Sequence, residues 1–367
     1  MQIVLVEPYY GGSHKAWADG YIAKSSHDVH LVSHDARFWK WRMHGGFLTL
    51  AAGVAELVES GIQPDVILAS SMMDVAAFAG AVRNTVPGVP IATYFHESQF
   101  TYPLSPSDKV DHTYQMKNWA SAAVSDTVIF NSEYHRSVFA GEAASFLRTF
   151  PDQRHTDLVG DVIDRSLVLP VGVDLTPVAG DPLPRTSPQL ILWNHRWEHD
   201  KGPMELRAIV GHLLDADIEF SMAMCGEVFG SVPPLFAEIT EMLGSHLMHA
   251  GFAERNRYIE LLRTASVVLS TADQEFFGIG VVEAIAAGAH PVLPDRLVYP
   301  ERIAALGASP ATALYQTPDE AADLVMRNLP RDPDDAVRSA AQQYDWSTVA
   351  TAYDRALEAL ADRAFDV

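Results

Sequence analysis

Four prolines occur in the segment Thr176-Pro-Val-Ala-Gly-Asp-Pro-Leu-Pro-Arg-Thr-Ser-Pro188. Proline fixes the backbone torsion φ and has no amide hydrogen, so a proline-rich segment interrupts helices and central strands alike. We therefore predict an interdomain linker over residues 176–189. It separates an N-terminal domain, residues 1–175, from a second domain, residues 190–344, and a closing helix over 345–367 completes the chain.

Short apolar runs alternate with segments of helical length on both sides of the linker. Before the linker the runs are 3–6, 29–32, 66–68, 91–94, 127–130 and 167–169; after it they are 190–193, 219–225, 247–251, 267–270 and 290–293. Such alternation is typical of βαβ units, whose strands form a parallel sheet. The fold class is therefore α/β, with one Rossmann-like domain on each side of the linker.

The composition excludes several classes of protein. The 367 residues include 26 basic and 47 acidic ones, and the net charge of −21 argues against general binding to phosphate backbones or anionic membranes. No apolar stretch approaches the roughly 18 residues of a membrane span, and no basic leader is seen. The single cysteine, Cys225, permits no internal disulfide and favours a reducing compartment. We expect a cytoplasmic protein without a membrane partner.

Two glutamates flank a glycine-broken turn in Glu275-Phe-Phe-Gly-Ile-Gly-Val-Val-Glu283. Gly278 and Gly280 let the backbone approach a ligand at a helix start, where unpaired amides attract hydroxyls and phosphates. The two carboxylates can then hold hydroxyls at either end of a sugar nucleotide. The alternative is a loop-to-helix cap with two ion-paired glutamates.

The segment from Ile191 to Gly202 places Arg196 and Lys201 directly after a strand-like run. Two cations five residues apart in a strand-end loop of an acidic chain suggest an anion site, because fixed cations stabilise developing negative charge. The alternative is a solvated basic loop.

The first strand is followed by Glu7-Pro-Tyr-Tyr-Gly-Gly-Ser-His-Lys15. Gly11 and Gly12 allow close approach of a phosphate or sugar, and ligands of parallel sheets bind at strand carboxyl ends. Ser13 and His14 are candidate acceptor-binding residues. The alternative is a tight turn in which Ser13 caps the following helix.

Strand ends further along the chain carry more polar side chains. His96 follows the fourth apolar run and is accompanied by Glu97 and Gln99, and Asn131 follows the fifth. A histidine and an acid at this edge can bind a sugar hydroxyl or orient an acceptor. The alternative is that His96 is a structural histidine with satisfied hydrogen bonds.

A basic and aromatic patch occupies Arg37-Phe-Trp-Lys-Trp-Arg42. Three cations interleaved with three aromatic rings offer phosphate neutralisation and stacking surfaces for unpaired bases. Trp39, Lys40, Trp41 and Arg42 are therefore candidate RNA-binding residues. The alternative is an amphipathic turn that buries its aromatic rings.

Metal ligands are not predicted. Asp215 and Asp217 have the Asp-x-Asp spacing of metal-dependent transferases, but they follow a helical pattern and precede a strand, at the edge opposite the ligand side. No pair of histidines has zinc-binding spacing on a helix face. We expect neither a metal nor another cofactor.

Seven motifs together resemble the tRNA-queuosine alpha-mannosyltransferase family. They are Glu7-x-Tyr-Tyr-Gly-Gly-Ser-His-Lys15, Trp39-Lys-Trp-Arg42, Tyr94-Phe-His-Glu97, Phe130-Asn-Ser132, Trp193-Asn-His-Arg196, Glu275-x-Phe-Gly278 and Leu297-Val-Tyr-Pro-Glu301. The Glu275–Glu283 spacing is similar to that of retaining glycosyltransferases more widely. The resemblance implies the GT-B fold, with two facing Rossmann-like domains and a C-terminal helix that crosses back to the first domain. It implies GDP-mannose as donor and the queuosine base of tRNA-Asp as acceptor.

The resemblance also assigns roles to residues. Arg196 and Lys201 would stabilise the departing diphosphate, Glu283 would hold the ribose, and Glu275 would hold the hexose. Further donor contacts would come from Asn194, Gly226, Phe277, Gly278, Ile279 and Gly280, together with Gly11 and Gly12. His96 would act at the acceptor hydroxyl, which would enter between the domains. Two alternatives stay open: a lipid, glycan or small-molecule acceptor, and a non-catalytic sugar-nucleotide-binding protein.

Overall fold

The computed structural model describes residues 1–101, 103, 111–180, 183–185, 187–228 and 232–365. Asp181, Pro182 and Thr186 of the predicted linker lie outside the described residues. The chain divides into two units: residues 1–173 together with 346–367, and residues 174–345.

The first unit is a six-stranded sheet flanked by helices. Its elements up to residue 173 are β1 (Gln2–Tyr10), α1 (Gly12–Lys24), β2 (Asp28–Asp35), α2 (Trp39–Glu59), β3 (Val66–Ser70), α3 (Val75–Val82), β4 (Ile91–Phe95), α4 (His112–Val124), β5 (Thr127–Phe130), α5 (Glu133–Leu147), α6 (Leu158–Asp164) and β6 (Ser166–Val168). The strand order is β2-β1-β3-β4-β5-β6, and every pairing is parallel. The strand carboxyl ends therefore share one edge, where parallel sheets bind ligands.

The second unit repeats the architecture. Its elements are a 3-10 helix (Thr176–Val178), β7 (Leu190–Asn194), a 3-10 helix (His199–Lys201), α7 (Pro203–Asp215), β8 (Ser221–Cys225), α8 (Pro234–Leu243), a 3-10 helix (Gly244–His246), β9 (Leu247–Gly251), α9 (Arg255–Thr264), β10 (Ala265–Leu269), α10 (Ile279–Ala287), β11 (His290–Pro294), α11 (Tyr299–Ala305), α12 (Pro310–Ala313), β12 (Leu314–Tyr315), α13 (Pro318–Asn328), α14 (Asp335–Ala341) and a 3-10 helix (Gln342–Tyr344). The strands are all parallel in the order β12-β11-β10-β7-β8-β9.

The last helix, α15 (Trp346–Phe365), belongs to the first unit. Asp354 accepts hydrogen bonds from the hydroxyls of Tyr21, Ser25 and Ser26 and from the Ser26 amide, at 2.7 to 2.9 Å. Trp346 lies against Gly20 and Gly172, where an added Cβ would approach the indole to 2.0 and 2.2 Å. The predicted return of the C-terminal helix to the first domain is confirmed.

The sequence predicted the sheets well and some local details wrongly. Each predicted apolar run overlaps a strand, whereas β12 was missed because it is two residues long. The basic patch, for which an amphipathic turn was the alternative interpretation, runs through Phe38, the N-cap residue of α2, into the first turn of that helix. Ser13 is not the cap of α1: Gly11 is the N-cap residue, without a side-chain hydrogen bond, and Ser13 lies inside the helix. Among the described residues, no helix combines the length and the apolar character needed to cross a membrane.

Candidate active site

The loop after β7 ends at one glycine and packs against another that follows the neighbouring strand. Gly202 has a positive φ of 61°, and an added Cβ there would lie 1.9 Å from the Thr271 carbonyl oxygen. Gly226, directly after β8, has equally little room, because an added Cβ would lie 1.9 Å from the carbonyl oxygen of His195. Both positions therefore require glycine for the loop 195–202 to pack against its neighbours.

Lys201 is the centre of a buried charge cluster. Its ammonium donates to the Gln274 carbonyl oxygen at 2.7 Å and lies 3.1 Å from Asp200 Oδ2 and 3.6 Å from Glu275 Oε2. Burial by itself lowers the pKa of Lys201, but the two carboxylates outweigh it and the pKa is raised. The ammonium is therefore held charged at a strand end.

Glu275 is the carboxylate partner in this cluster. Its Oε1 accepts from the backbone amides of Phe276, Phe277 and Gly278 at 3.2, 3.4 and 3.1 Å. Burial raises the pKa of Glu275, whereas Lys201, His195 and the amides lower it, and the net pKa falls below its ordinary value. The predicted anion-binding amides at 277–278 thus contact Glu275. The first amides of α10, from Ile279 onward, have no helical carbonyl acceptor.

Glu283 lies at the end of a buried hydrogen-bond chain. The Asn194 side-chain amide donates to the Gly280 carbonyl at 2.8 Å and to the Tyr258 hydroxyl at 3.0 Å. Tyr258 in turn donates to Glu283 Oε2 at 2.7 Å, and Arg255 lies 3.4 Å from Oε1. Burial raises the pKa of Glu283 despite these partners. An added Cβ at Gly280 would lie 2.7 Å from Asn194 Nδ2, so glycine is required here too.

Arg196 differs from Lys201 in its exposure. Its side chain is 46% exposed, and the guanidinium lies 3.3 Å from Glu198 Oε2. The residue before Arg196 is His195, whose imidazole Nε2 is buried without a hydrogen-bond partner among the described residues. Burial, reinforced by Lys201, lowers the pKa of His195 to about 4. Arg196 thus offers a solvent-facing cation beside a buried one.

Phe277 and the turn before α10 are held by a buried arginine. The Arg302 guanidinium is 3% exposed, donates to the Phe277 carbonyl at 3.3 Å, and lies 4.2 Å and 4.5 Å from the ring centroids of Phe277 and Tyr344. Gly278, the N-cap residue of α10, has a φ of 83°. The conformation that presents Glu275 therefore rests on Arg302 and on a left-handed glycine.

The first unit brings Glu7, His14 and His96 together at the ends of β1 and β4. His14 Nδ1 lies 3.1 Å, and His96 Nε2 3.9 Å, from Glu7 Oε2. The Glu7 Oε1 atom accepts from the Tyr9 amide at 2.8 Å. Burial, followed by the neighbouring imidazoles of His14 and His135, holds the pKa of His96 well below its ordinary value. His96 is therefore neutral, and its Nε2 can accept a hydrogen bond in the tautomer that leaves this nitrogen unprotonated.

The other candidates after β4 and β5 are one buried residue, Asn131, and two half-buried residues, Glu97 and Gln99. The Asn131 side-chain amide donates to the His96 carbonyl at 2.9 Å, and Asn131 is 3% exposed. Gln99 donates to Glu97 at 3.0 Å, and both are half-buried. Asn131 thus positions the backbone of His96 rather than presenting an open polar group.

The turn between β1 and α1 is partly open to solvent. Gly12 and Ser13 are exposed, whereas Gly11 is half-buried. An added Cβ at Gly11 would lie 2.3 Å from the Cβ of Ala36, while Gly12 has no atom this close and has a φ of 51°. Glycine is therefore favoured at position 11 because a side chain would clash with Ala36, and at position 12 because the backbone φ is positive.

The basic patch presents two rings to solvent. Phe38 and Trp41 are 77% and 63% exposed, and Trp39 packs on Tyr114 of α4 with centroids 5.2 Å apart. The Trp41 indole lies along α2 over Gly45, where an added Cβ would approach its Cζ2 atom to 2.7 Å. Lys40 is exposed, and Arg42 lies 3.4 Å from the Asp35 carbonyl oxygen. The patch does not bury its rings as an amphipathic turn would.

Sequence reasoning missed four residues of these sites: Glu7 as a site residue, Asp200, Tyr258 and Arg302. Asp200 is adjacent to Lys201 in the sequence, and this adjacency was an available signal of an ion pair. In the structure Asp200 is 1% exposed, and a carboxylate buried to this extent requires a charged partner. Tyr258 is 64 residues from Asn194 in the sequence, and no local pattern connects them.

Two Rossmann-like units and a strand-end cluster of lysine, glutamate and glycine define a glycosyltransferase of the GT-B class. Residues 180–336 match the family of glycosyl transferases group 1, and residues 2–173 match the N-terminal family of tRNA-queuosine alpha-mannosyltransferases. A relative from Drosophila melanogaster named tRNA-queuosine alpha-mannosyltransferase is 33% identical over 309 residues, which cover 82% of this chain and 81% of the relative. The chain belongs to the tRNA-queuosine alpha-mannosyltransferase family, and it is a hexosyltransferase.

Solved structures show the same fold at low sequence identity. Anabaena HepE in complex with UDP is 15% identical, with a TM-score of 0.66 over 98% of this chain and 100% of that one. Sucrose-phosphate synthase from Thermosynechococcus elongatus is 14% identical, with a TM-score of 0.69 over 99% of this chain and 100% of that one. The predicted fold class is confirmed.

Proposed function

We propose that this protein transfers mannose from GDP-mannose to the queuosine base in the anticodon loop of tRNA-Asp, with retention of the anomeric configuration. Family membership supports the acceptor and the sugar. The observation that carries the chemistry is the charge cluster of Lys201 with Glu275, held at the strand ends of the second unit.

The donor is assigned to the second unit. Lys201 and Arg196 would neutralise the diphosphate as negative charge builds on it, because fixed cations in a partly buried site are strongly stabilising. Glu275 would accept hydrogen bonds from hexose hydroxyls through Oε2, since its Oε1 is occupied by backbone amides. Glu283 would accept from ribose hydroxyls and is oriented by Tyr258. Gly226 and Gly280 would act through packing, because His195 and Asn194 fill the space beside them.

The acceptor is assigned to the first unit. Trp41 and Phe38 would stack on unpaired bases, and Lys40 and Arg42 would contact phosphates. Ser13 and His96 would contact the acceptor hydroxyl. The exposed rings support this assignment, because an acidic chain gains little from general attraction to RNA and must concentrate its contacts.

The reaction proposed is attack on the face that the leaving group occupies. The bond between the acceptor oxygen and the anomeric carbon forms as the bond from that carbon to the diphosphate oxygen breaks, and the leaving oxygen takes the acceptor proton. Lys201 and Glu275 form an ion pair, which supports a binding role for Glu275 and not a nucleophilic one. The diphosphate would be neutralised by the protein's cations without a divalent ion.

The buried free thiol of Cys225 supports a reducing cytosol as the compartment.

The function is tested by incubating the full chain with queuosine-containing tRNA and one sugar nucleotide at a time. The four sugar nucleotides are GDP-mannose, GDP-glucose, UDP-glucose and UDP-galactose. Digestion and mass spectrometry should detect one added hexose on queuosine with GDP-mannose alone, and magnesium chelation should leave GDP binding unchanged. Transfer only to a small acceptor would replace the RNA assignment, and donor binding without any transfer would indicate a binding protein.

A further inference from the structure

We propose that Glu7, His14 and His96 bind one zinc ion in the first unit. The Glu7 Oε2, His14 Nδ1 and His96 Nε2 atoms lie within 4.8 Å of one another. Tetrahedral zinc, with bonds of about 2.0–2.1 Å, holds its ligand atoms about 3.3 Å apart. The two distances from Glu7 Oε2, 3.1 Å and 3.9 Å, lie on either side of this value. Both imidazole nitrogens would have to lie about 2.0–2.1 Å from a common ion, so the proposal requires the two histidine side chains to move toward each other where their nitrogens are more than about 4 Å apart.

The cluster is unusual because a buried carboxylate has no lysine or arginine as ion-pair partner. Glu7 is 0% exposed, and among the described residues the imidazoles of His14 and His96 are the titratable groups within 4 Å of its carboxylate, with His14 Nδ1 at hydrogen-bond distance. His96 Nε2 is buried and has no hydrogen-bond partner among the residues that the structure describes. A buried carboxylate and an unpaired imidazole nitrogen both cost free energy, and a divalent cation between them would satisfy both.

Three separate elements converge to make this geometry. Glu7 lies in β1, His14 in the first turn of α1, and His96 directly after β4. The Tyr9 amide holds Glu7 Oε1 at 2.8 Å and so directs Oε2 toward the imidazoles. The ring of Trp17 lies edge-on to His96 at 4.6 Å between centroids, and Asn131 holds the His96 backbone. Such outer contacts are what fix ligand orientation in metal sites.

The donor set selects the ion. Two imidazoles and one carboxylate suit zinc, whereas magnesium prefers oxygen ligands in an octahedron. Three protein ligands leave a fourth position open, as zinc sites that bind water or a substrate do. The histidine side chains keep 11% and 10% of their surface exposed, which gives an ion a route in. The proposal is independent of donor and acceptor identity, since zinc binding is measured without either.

The test uses the full chain, stripped with a chelator and titrated with zinc against a chromophoric competitor. We expect one zinc per chain, with no competition from a large excess of magnesium. Glu7→Gln and His96→Ala should each weaken zinc binding by about 100-fold, because loss of even an outer-shell partner costs 10- to 100-fold. Glu97→Gln, which changes the adjacent carboxylate, should keep the full stoichiometry.

Zinc-edge X-ray absorption on the unmutated protein keeps the test decisive if a variant fails to fold. We expect nitrogen and oxygen scatterers, with two imidazoles and no sulfur, because Cys225 lies in β8 of the other unit. Any of three results would overturn the proposal. They are the absence of stoichiometric zinc binding, a sulfur ligand in the absorption spectrum, and unchanged zinc affinity in folded Glu7→Gln and His96→Ala proteins.

Discussion

The ammonium of Lys201 lies 3.6 Å from the Oε2 atom of Glu275, although 74 positions separate the two residues in the chain (275 − 201). Each group fixes the charge of the other: the pKa of Lys201 is raised by Glu275 and Asp200, and the pKa of Glu275 is lowered by Lys201. A cation and a carboxylate thus stay ionised together at the strand ends. A donor diphosphate needs a cation as its partner, and donor hydroxyls need a hydrogen-bond acceptor such as a carboxylate.

Replacing Arg196 with alanine should lower kcat by about 10²- to 10³-fold, because one preorganised charge at a developing anion contributes this much. Donor affinity should fall less than turnover. Arg196 is the better test residue because its side chain is 46% exposed, whereas Lys201→Ala would leave Asp200 and Glu275 buried without their cation and destabilise the fold. Steady-state kinetics should show no such loss for Arg257→Ala on α9. Equal losses of donor affinity and turnover would show that Arg196 binds the donor in the ground state and gives no extra stabilisation to the transition state.

Gly45→Ala should weaken tRNA binding by pushing the Trp41 indole off the surface of α2, since the new methyl would lie 2.7 Å from its Cζ2 atom. The loss should approach that of Trp41→Ala, about 1 to 3 kcal/mol for a stacked base. Alanine stabilises a helix interior relative to glycine by about 0.5–1 kcal/mol, so unfolding would not explain weaker binding. Leu48→Ala removes an exposed apolar side chain of α2 without a ring and serves as control. Unchanged fluorescence-anisotropy affinities for both Gly45→Ala and Trp41→Ala would remove the stacking role.

Lys40→Gln combined with Arg42→Gln should flatten the salt dependence of tRNA binding. Each lost phosphate contact should lower the slope of log K against log salt by about 0.7, the value for single strands. Arg327→Gln, which neutralises a 70%-exposed arginine on α13, is the control and should leave the slope unchanged. If the double variant keeps the slope of the unmutated protein, the two cations do not contact phosphate.

The sequence predicts the two sheets because apolar runs bounded by turns carry strand positions directly. It also places Lys201 and Glu275 in loops that follow strands, since parallel topology brings such loops to one edge. It does not predict that Tyr258 of α9 orients Glu283 or that Arg302 packs on Phe277, because these contacts depend on how helices pack against the sheet. It also missed the burial of Glu7 between two histidines. Residue preference offers Ser13 as the alternative cap of α1, but the N-cap residue is Gly11, where an added Cβ would contact Ala36.

Asp354→Asn should lower the stability of the first unit by about 2 kcal/mol, because hydrogen bonds to a charged acceptor contribute about 1.5–3 kcal/mol. Burial raises the pKa of Asp354, but hydrogen bonds from Ser25, Ser26 and Tyr21 outweigh it and lower the net pKa. The carboxylate therefore stabilises the fold above its unfolded pKa of about 4, and this contribution is lost as the pH falls through the lower folded value.

Urea unfolding at several pH values measures this contribution. The difference in unfolding free energy between Asp354→Asn and the unmutated protein should be full at pH 7 and shrink below about pH 4. Asp362→Asn changes an exposed residue of the same helix and should have little effect at any pH. A difference that does not depend on pH would show that the loss comes from packing and not from the charge.

Transfer to queuosine is measured by comparing two preparations of tRNA-Asp, one with queuosine and one with guanine at the same position. Each is incubated with the full chain and GDP-mannose, digested to nucleosides, and analysed by mass spectrometry. We predict one mannose on queuosine in the α-configuration and no product from the guanine-containing tRNA. Equal glycosylation of both tRNAs, or none of either while a small acceptor is glycosylated, would contradict the account.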